Sequence, residues 1–142
     1  MKLVLDASMA LAWCIARVNP EEAGLAVEAL SEVKLRGALV PALWYAEIAN
    51  TLLVFERAKR LNRKDSDDFL ADMGNLGIVS DEVPASQVQS RVVALGRSHL
   101  LTAYDATYLE LALRKAATLA TFDRRLAAAC REAGVAVFGD GG

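Results

Sequence analysis

Four acids stand out by where they fall in the chain. Asp6 ends the apolar run Leu3-Val4-Leu5, and Glu47 is the only charge in the apolar segment from Leu43 to Phe55. Asp105 opens a helical pattern continued by Leu109, Leu111, Ala112 and Leu113, and Asp123 follows the run Ala116-Ala117-Thr118-Leu119-Ala120. A lone Glu beside Ala46, Ile48 and Ala49 costs on the order of several kcal/mol to bury charged and unpaired, so it needs a partner or a pocket. If the four carboxylates meet, any two of them about 5 Å apart repel by roughly 3 kcal/mol at an effective dielectric near 20. Such a cluster must protonate in part or hold a cation. Oxygen-only ligands select hard ions, Mg²⁺ or Mn²⁺, which activate water and stabilise in-line displacement at phosphorus. A plainer reading stays open for Asp105. Thr102 with Asp105 has the [ST]-x-x-[DE] form of a capping box, in which the acid only helps to start a helix.

The elements that must position these acids alternate between two periods. The run at residues 2–5 reads as a strand buried on both faces, followed by a short helix over 8–15. Asn19-Pro20-Glu21-Glu22 opens a helix with a cap residue, Pro at the first position and acids in the first turn; Gly37 stops it. Ala38-Leu39-Val40 is a second strand, and residues 43–57 form the most apolar helix. There Glu47, Asn50 and Thr51 share one face at i, i+3 and i+4. Asn62 or Asp65 opens a further helix closed by Gly74, Ile78-Val79 is a third strand, and residues 86–98 are helical. The helix of Asp105 comes next. A fourth strand at 118–120, a helix over 124–133 and a fifth strand at 135–138 complete the chain, and the Gly-Asp-Gly-Gly tail at 139–142 is expected to fray. Strands alternating with helices predict a single-domain three-layer α/β/α sandwich with a mostly parallel central sheet, spanning residues 1–142. In such sheets sites form outside the carboxyl ends of the strands, at a switch point, which is where Asp6 and Asp123 fall.

The totals agree with one domain. The chain has 142 residues, 54% hydrophobic and 6% aromatic, so its core is built mainly from Ala, Leu and Val. No apolar run reaches the ~18–20 residues that cross a bilayer and no signal-peptide pattern opens the chain, so a soluble, cytoplasmic protein without a membrane partner is expected. Cys14 and Cys130 lie in apolar helical contexts and are expected as free thiols; no Cys/His cluster suggests zinc. His99 continues an apolar stripe and reads as a packed residue at a helix end. The net charge of −2 does not advertise a nucleic-acid binder, but the basic residues are clustered. Arg57, Lys59, Arg60, Arg63 and Lys64 form one group, and Arg124, Arg125 and Arg131 another. Such groups are ordinarily solvated helix faces; beside a carboxylate pocket, Arg124 and Arg125 would hold phosphates.

Val4-Leu5-Asp6-Ala7-Ser8, Glu47 with Asn50, Leu101-Thr102-Ala103-Tyr104-Asp105-Ala106 and Thr121-Phe122-Asp123-Arg124-Arg125-Leu126 resemble, in order and spacing, the acidic motifs of PIN-domain nucleases. The chain looks most like the VapC-type toxins of toxin–antitoxin systems, and the resemblance covers nearly its whole length. It implies that the four acids converge, that Asp6, Glu47, Asp105 and Asp123 bind Mg²⁺ (or Mn²⁺ in its place) and act in catalysis, and that Ser8, Asn50, Thr102 and Thr121 support them. It further implies metal-dependent endoribonuclease activity on RNA, a homodimer, and an antitoxin protein as partner. Trp13, Trp44, Tyr45 and Phe55 lie on apolar helices. At least two belong to the core, and the others are candidates to line a groove for an antitoxin helix. A stand-alone PIN nuclease of RNA maturation and a binding-only acidic α/β module, either a degenerate PIN domain or a receiver-like one, are the alternatives.

Other chemistries fit less well. Asp6-Ala7-Ser8 lacks the second Asp of an Asp-x-Asp phosphatase nucleophile. One histidine on an apolar stripe argues against a Ser-His-Asp triad. There is neither a GxxxxGK[ST] loop nor a GxGxxG fingerprint. A receiver pairs its acids directly after the first strand, and it has no need of Glu47 inside an apolar helix or of Asp123 after the fourth strand.

Overall fold

The computed structural model describes residues 2–141. Its central sheet consists of β1 (Leu3–Leu5), β2 (Ala38–Val40), β3 (Ile78–Ser80) and β4 (Thr118–Ala120). These run in the order β3-β2-β1-β4 with every pair parallel. Val4 pairs with Leu39 on one side and Leu119 on the other, so β1 is the middle of the fold. Its three residues are buried, as a strand covered on both faces requires. The chain moves outward from β1 through β2 to β3 and then returns to the opposite side of β1 as β4. The direction of winding therefore reverses beside β1, and the carboxyl ends of β1 and β4 are where a sheet of this kind forms its crevice.

Seven helices clothe the sheet among the described residues: α1 (Ala7–Leu11), α2 (Pro20–Arg36), α3 (Leu43–Arg57), α4 (Arg63–Gly74), α5 (Ala85–His99), α6 (Ala103–Lys115) and α7 (Arg124–Ala133). Several starts are fixed by side-chain caps. Asn19 accepts from the N–H groups of Glu21 and Glu22 at 2.8 and 3.2 Å. Asn62, not Asp65, caps α4 by accepting from Asp65 N–H at 2.8 Å. The core joins β1, β2 and β4 to one face each of α1, α2, α3, α6 and α7, with Leu5, Met9, Ile48, Tyr108, Leu109, Leu111, Leu119 and Leu126 wholly enclosed.

Three expectations change in extent. The first helix stops at Leu11, because Ala12, Trp13 and Cys14 bond back three residues, to Met9, Ala10 and Leu11, and tighten the chain out of the α form. The fifth strand shrinks to one parallel bridge between Leu119 and Val137. Gly139, at φ +97°, and the bond from Asp140 N–H to the Val137 carbonyl turn the chain away before a ladder can grow. The tail expected to fray makes that turn, and Arg131 holds Asp140 at 2.7 Å; residue 142 lies outside the described residues. Cys14 and Cys130 are free thiols, and burial pushes the Cys130 thiol up to about 12, which leaves it inert. His99 is the last residue of α5 and largely buried, with Nδ1 3.6 Å from Glu132. No helix among the described residues is long and apolar enough to cross a membrane.

Candidate active site

Asp6 is the first residue beyond β1, and its N–H still bonds to the Ala120 carbonyl of β4 at 3.0 Å. That bond ties the acid to the crevice. Asp6 is buried, and its Oδ2 accepts two hydroxyls, from Thr121 at 2.6 Å and Ser8 at 2.7 Å. Both donors are tied in turn to the loop after β4. Phe122 N–H donates to Ser8 Oγ at 2.9 Å and Asp123 N–H to Thr121 Oγ1 at 2.9 Å. The loops after β1 and β4 are thus laced together through Asp6, across 115 positions of sequence.

Asp123 and Asp105 each begin a helix, with opposite consequences. Asp123 is the cap of α7: its Oδ1 accepts from Leu126 N–H at 2.9 Å. At α6 the cap is Thr102, which accepts from Asp105 N–H at 3.2 Å, while the Asp105 carboxylate takes no hydrogen bond from any described residue. The capping box predicted for this stretch is therefore half made, and Asp105 is left over for something else. Glu47 rises from α3, half-buried, and meets the partner its apolar surroundings demanded. Tyr108 of α6 donates its hydroxyl to Glu47 Oε1 at 2.5 Å.

The acids feel one another. Burial raises the pKa of Asp6, against the hydrogen bonds of Thr121 and Ser8, and the charge of Asp123 adds to the rise. Burial also raises that of Glu47; the Tyr108 hydroxyl opposes the shift, and Asp6 and Asp105 reinforce it. Asp105 is pushed up to about 6, first by burial and then by Asp123 and Asp6, with Arg125 opposing. Burial is the common first cause, and repulsion among the neighbouring acids adds to it. The side chains do not close on one point: no three His, Cys, Asp or Glu side chains among the described residues form a ready metal group. Instead, Asp6, Glu47 and Asp123 each have an oxygen turned to a protein donor. The donor chemistry, four carboxylates with two hydroxyls and no sulfur or imidazole, fits a hard divalent cation.

The supporting residues divide. Ser8 and Thr121 hold Asp6, and Thr102 sets the start of the helix that carries Asp105. Asn50 is exposed on α3 and makes no hydrogen bond to the cluster among the described residues. Of the two arginines, Arg125 acts on Asp105. Arg124 lines a cavity of about 430 Å³ together with Thr121 and Asp123 of the site and with Glu21, Glu22 and Asp140.

The PIN domain profile matches residues 3–132. The chain belongs to the PIN-domain family. It is similar to Ribonuclease VapC3 of Pyrobaculum aerophilum, 30% identical over 127 residues that cover 89% of this chain and 93% of that protein. Two solved structures share the fold. PAE2754 from Pyrobaculum aerophilum has a TM-score of 0.65 at 22% identity, covering 91% of this chain and 86% of that one. FitAcB from Neisseria gonorrhoeae has a TM-score of 0.63 at 20% identity, covering 96% of each.

Two groups escaped the reading of the sequence. Tyr108, which lies in the helix of Asp105 but was given no role, is wholly buried and serves Glu47; its one legible signal was a hydroxyl three positions after Asp105. The other is an ion network on the far side of α6. Arg114 forks onto Asp81 at 2.6 and 3.0 Å and onto Glu110 at 2.9 and 3.0 Å, and Arg91 joins Glu110 at 3.3 Å. Glu110 and Arg114 at i, i+4 were visible in the sequence, but Asp81 was not.

Of the aromatic candidates, Trp44 is buried in the core, while Trp13 and Phe55 are partly covered. Trp13 donates to the Ala26 carbonyl at 2.8 Å. Tyr45 is 48% exposed. It lines an apolar cavity of about 220 Å³ with Trp44, Ile48, Leu70 and Met73.

Proposed function

We propose that this protein is a metal-dependent endoribonuclease that hydrolyses RNA phosphodiester bonds, and that it is the toxin of a VapBC-type toxin–antitoxin pair. The observation that supports the reading is that Asp6, Glu47, Asp105 and Asp123 lie close enough for their charges to act on one another, with Asp105 pushed up to about 6 by burial and then by Asp123 and Asp6. The similarity to a VapC ribonuclease over nearly the whole chain supports it.

Asp6, Glu47, Asp105 and Asp123 would hold Mg²⁺, with Mn²⁺ as a substitute. The ion supplies water activation and charge neutralisation for an in-line displacement at phosphorus. Ser8 and Thr121 fix Asp6 in one orientation. Asp105, whose carboxylate takes no hydrogen bond from the described residues, is the carboxylate most available to the ion and to the attacking water. Arg125 lies where it can attract a phosphate, since its charge is already felt at Asp105.

The expected partners are cellular RNA, which puts the action in the cytoplasm, an antitoxin, and a second copy of the chain in a homodimer. The exposed Tyr45 and the cavity beside Trp44 and Leu70 support an apolar antitoxin helix as the neutralising contact. The test is direct. Purified protein cleaves total RNA in Mg²⁺, and Asp105→Asn folds but does not cleave. Expression arrests growth, and co-expression of the adjacent gene product relieves the arrest. A variant that cleaves as fast as the parent overturns the catalytic assignment. Absence of arrest from a folded parent overturns the toxin assignment.

A further inference from the structure

We propose that Tyr108 is a positioning residue that confines Glu47 to ligating the cation through a single oxygen, and that it thereby tunes the site for small divalent ions against Ca²⁺. This rests on the metal-dependent reading above.

The geometry gives the reason. Tyr108 is 0% exposed, with its ring locked in the core beneath the crevice. Its hydroxyl reaches Glu47 Oε1 at 2.5 Å, the length of a charge-assisted O–H···O⁻ bond. Glu47 Oε2 receives no hydrogen bond from the described residues, so one oxygen is committed and the other is free. The two helices that meet in this bond are α3, which brings Glu47, and α6, which brings Tyr108 and, one turn earlier, Asp105. The phenol therefore sets the angle of one proposed ligand from the helix that carries another.

Single-oxygen ligation matters for the choice of ion. Mg²⁺ takes near-octahedral geometry at ~2.0–2.1 Å and is ordinarily bound through one or two carboxylates, whereas Ca²⁺ takes 6–8 oxygens and accepts two-oxygen carboxylate contacts readily. Freeing Oε1 gives Glu47 the two-oxygen option and loses the fixed orientation. A purely structural phenol, satisfied by the nearest acceptor, would change stability without changing which ion is preferred.

The experiment compares the parent with Tyr108→Phe, which keeps the ring in the core. Mn²⁺ binding is followed by electron paramagnetic resonance, and Mg²⁺ and Ca²⁺ by their displacement of Mn²⁺, with no RNA present. Partners of ligating carboxylates typically alter metal affinity ~10–100-fold, so Mg²⁺ affinity should fall roughly tenfold in the variant while Ca²⁺ affinity stays within about twofold. Equal loss for both ions, or no change in either, overturns the inference and leaves the nuclease reading standing. A parent that binds no Mn²⁺ overturns the metal reading and this inference together. A second measurement uses the parent alone and does not depend on the variant folding. With ¹³C-labelled tyrosine, and three tyrosines in the chain to assign, the Tyr108 resonance should hold its hydrogen-bonded position at saturating Mg²⁺. Its loss means that Oε1 passes to the ion, which also overturns the inference.

Discussion

Asp123 Oδ1 accepts the Leu126 N–H at 2.9 Å and so caps α7, while Asp105, at the start of α6, leaves capping to Thr102. Two acids of one crevice therefore stand in opposite relation to stability. In EDTA, Asp105→Asn removes repulsion with Asp6 and Asp123 and loses no hydrogen bond, so it should melt at or above the parent. Asp123→Ala loses a cap worth about 0.5–2 kcal/mol and should melt lower. Thermal melts of the three metal-free proteins check this; a clear loss of stability in Asp105→Asn would show that it is a structural cap after all.

The raised pKa of Asp105 sets the sign of a pH dependence. At about 6 in the folded protein against 3.8 as its ordinary value, the carboxyl holds its proton in the folded state where the unfolded chain has lost it. The metal-free fold is therefore favoured at low pH by this group, loses that advantage as pH rises from about 4 to about 6, and is level above. Other carboxylates act in the opposite direction, Asp81 and Asp140 being held below the usual range by Arg114 and Arg131. The readout is thus the difference between proteins. Urea midpoints at pH 4.5 and pH 7 should show Asp105→Asn gaining on the parent at the higher pH. A constant difference would mean that Asp105 titrates normally.

Arg114 is the hub of the ion network, with Glu110 4% and Asp81 10% exposed in their side chains. Arg114→Ala leaves Asp81 enclosed without a cation and Glu110 with only the more exposed Arg91, and should cost about 3 kcal/mol, the lower end for breaking a buried pair. Arg91, at the exposed end of the same network, should cost under about 1 kcal/mol when replaced by Ala. Urea unfolding of the two variants decides it. Similar losses would show that Arg114 is as well replaced by water as Arg91.

Neighbouring arginines should differ in RNA binding. The charge of Arg125 acts on Asp105, while Arg124 lines a cavity it shares with Glu21, Glu22 and Asp123, so Arg125→Ala should weaken RNA affinity more. It should also reduce the salt slope of single-stranded RNA binding by about 0.7, one phosphate contact. Binding measured on Asp105→Asn protein, which leaves the RNA intact, checks this across a salt series. Equal effects of Arg124→Ala and Arg125→Ala would place the RNA path elsewhere.

The four acids were legible because charge is conspicuous in apolar sequence. Asp6 interrupts a run that only a buried strand explains, and Glu47 stands alone on an apolar helix. Their partners were less so. A tyrosine such as Tyr108 adds to an apolar stripe whether its hydroxyl is used or idle, and pattern alone cannot tell the two apart. The pairing of Arg114 with Asp81 joins a helix to the end of a strand far away in sequence, which no local period records. The fifth strand misled for a related reason. Val135 and Val137 alternate with exposed Ala136 as a strand should. The turn at Gly139 ends the pairing before alternation can become a ladder. Asp105 was the reverse case: its spacing from Thr102 matched a capping box, but its carboxylate is directed by the crevice and not by the helix end.

The bond from Thr121 to Asp6 spans 115 positions, and this separation has a consequence for the order of events during synthesis. β1 leaves the ribosome first and can pair with β2 early, but its other edge waits for β4. At about 5–20 residues per second, the interval is on the order of 6–20 s. Throughout it Asp6 lacks Thr121 and Asp123, and the crevice does not exist. If the proposed nuclease reading holds, a nascent chain of this protein is silent until it is nearly complete, and a fragment that ends before Thr121 should carry most of the helices but cleave no RNA.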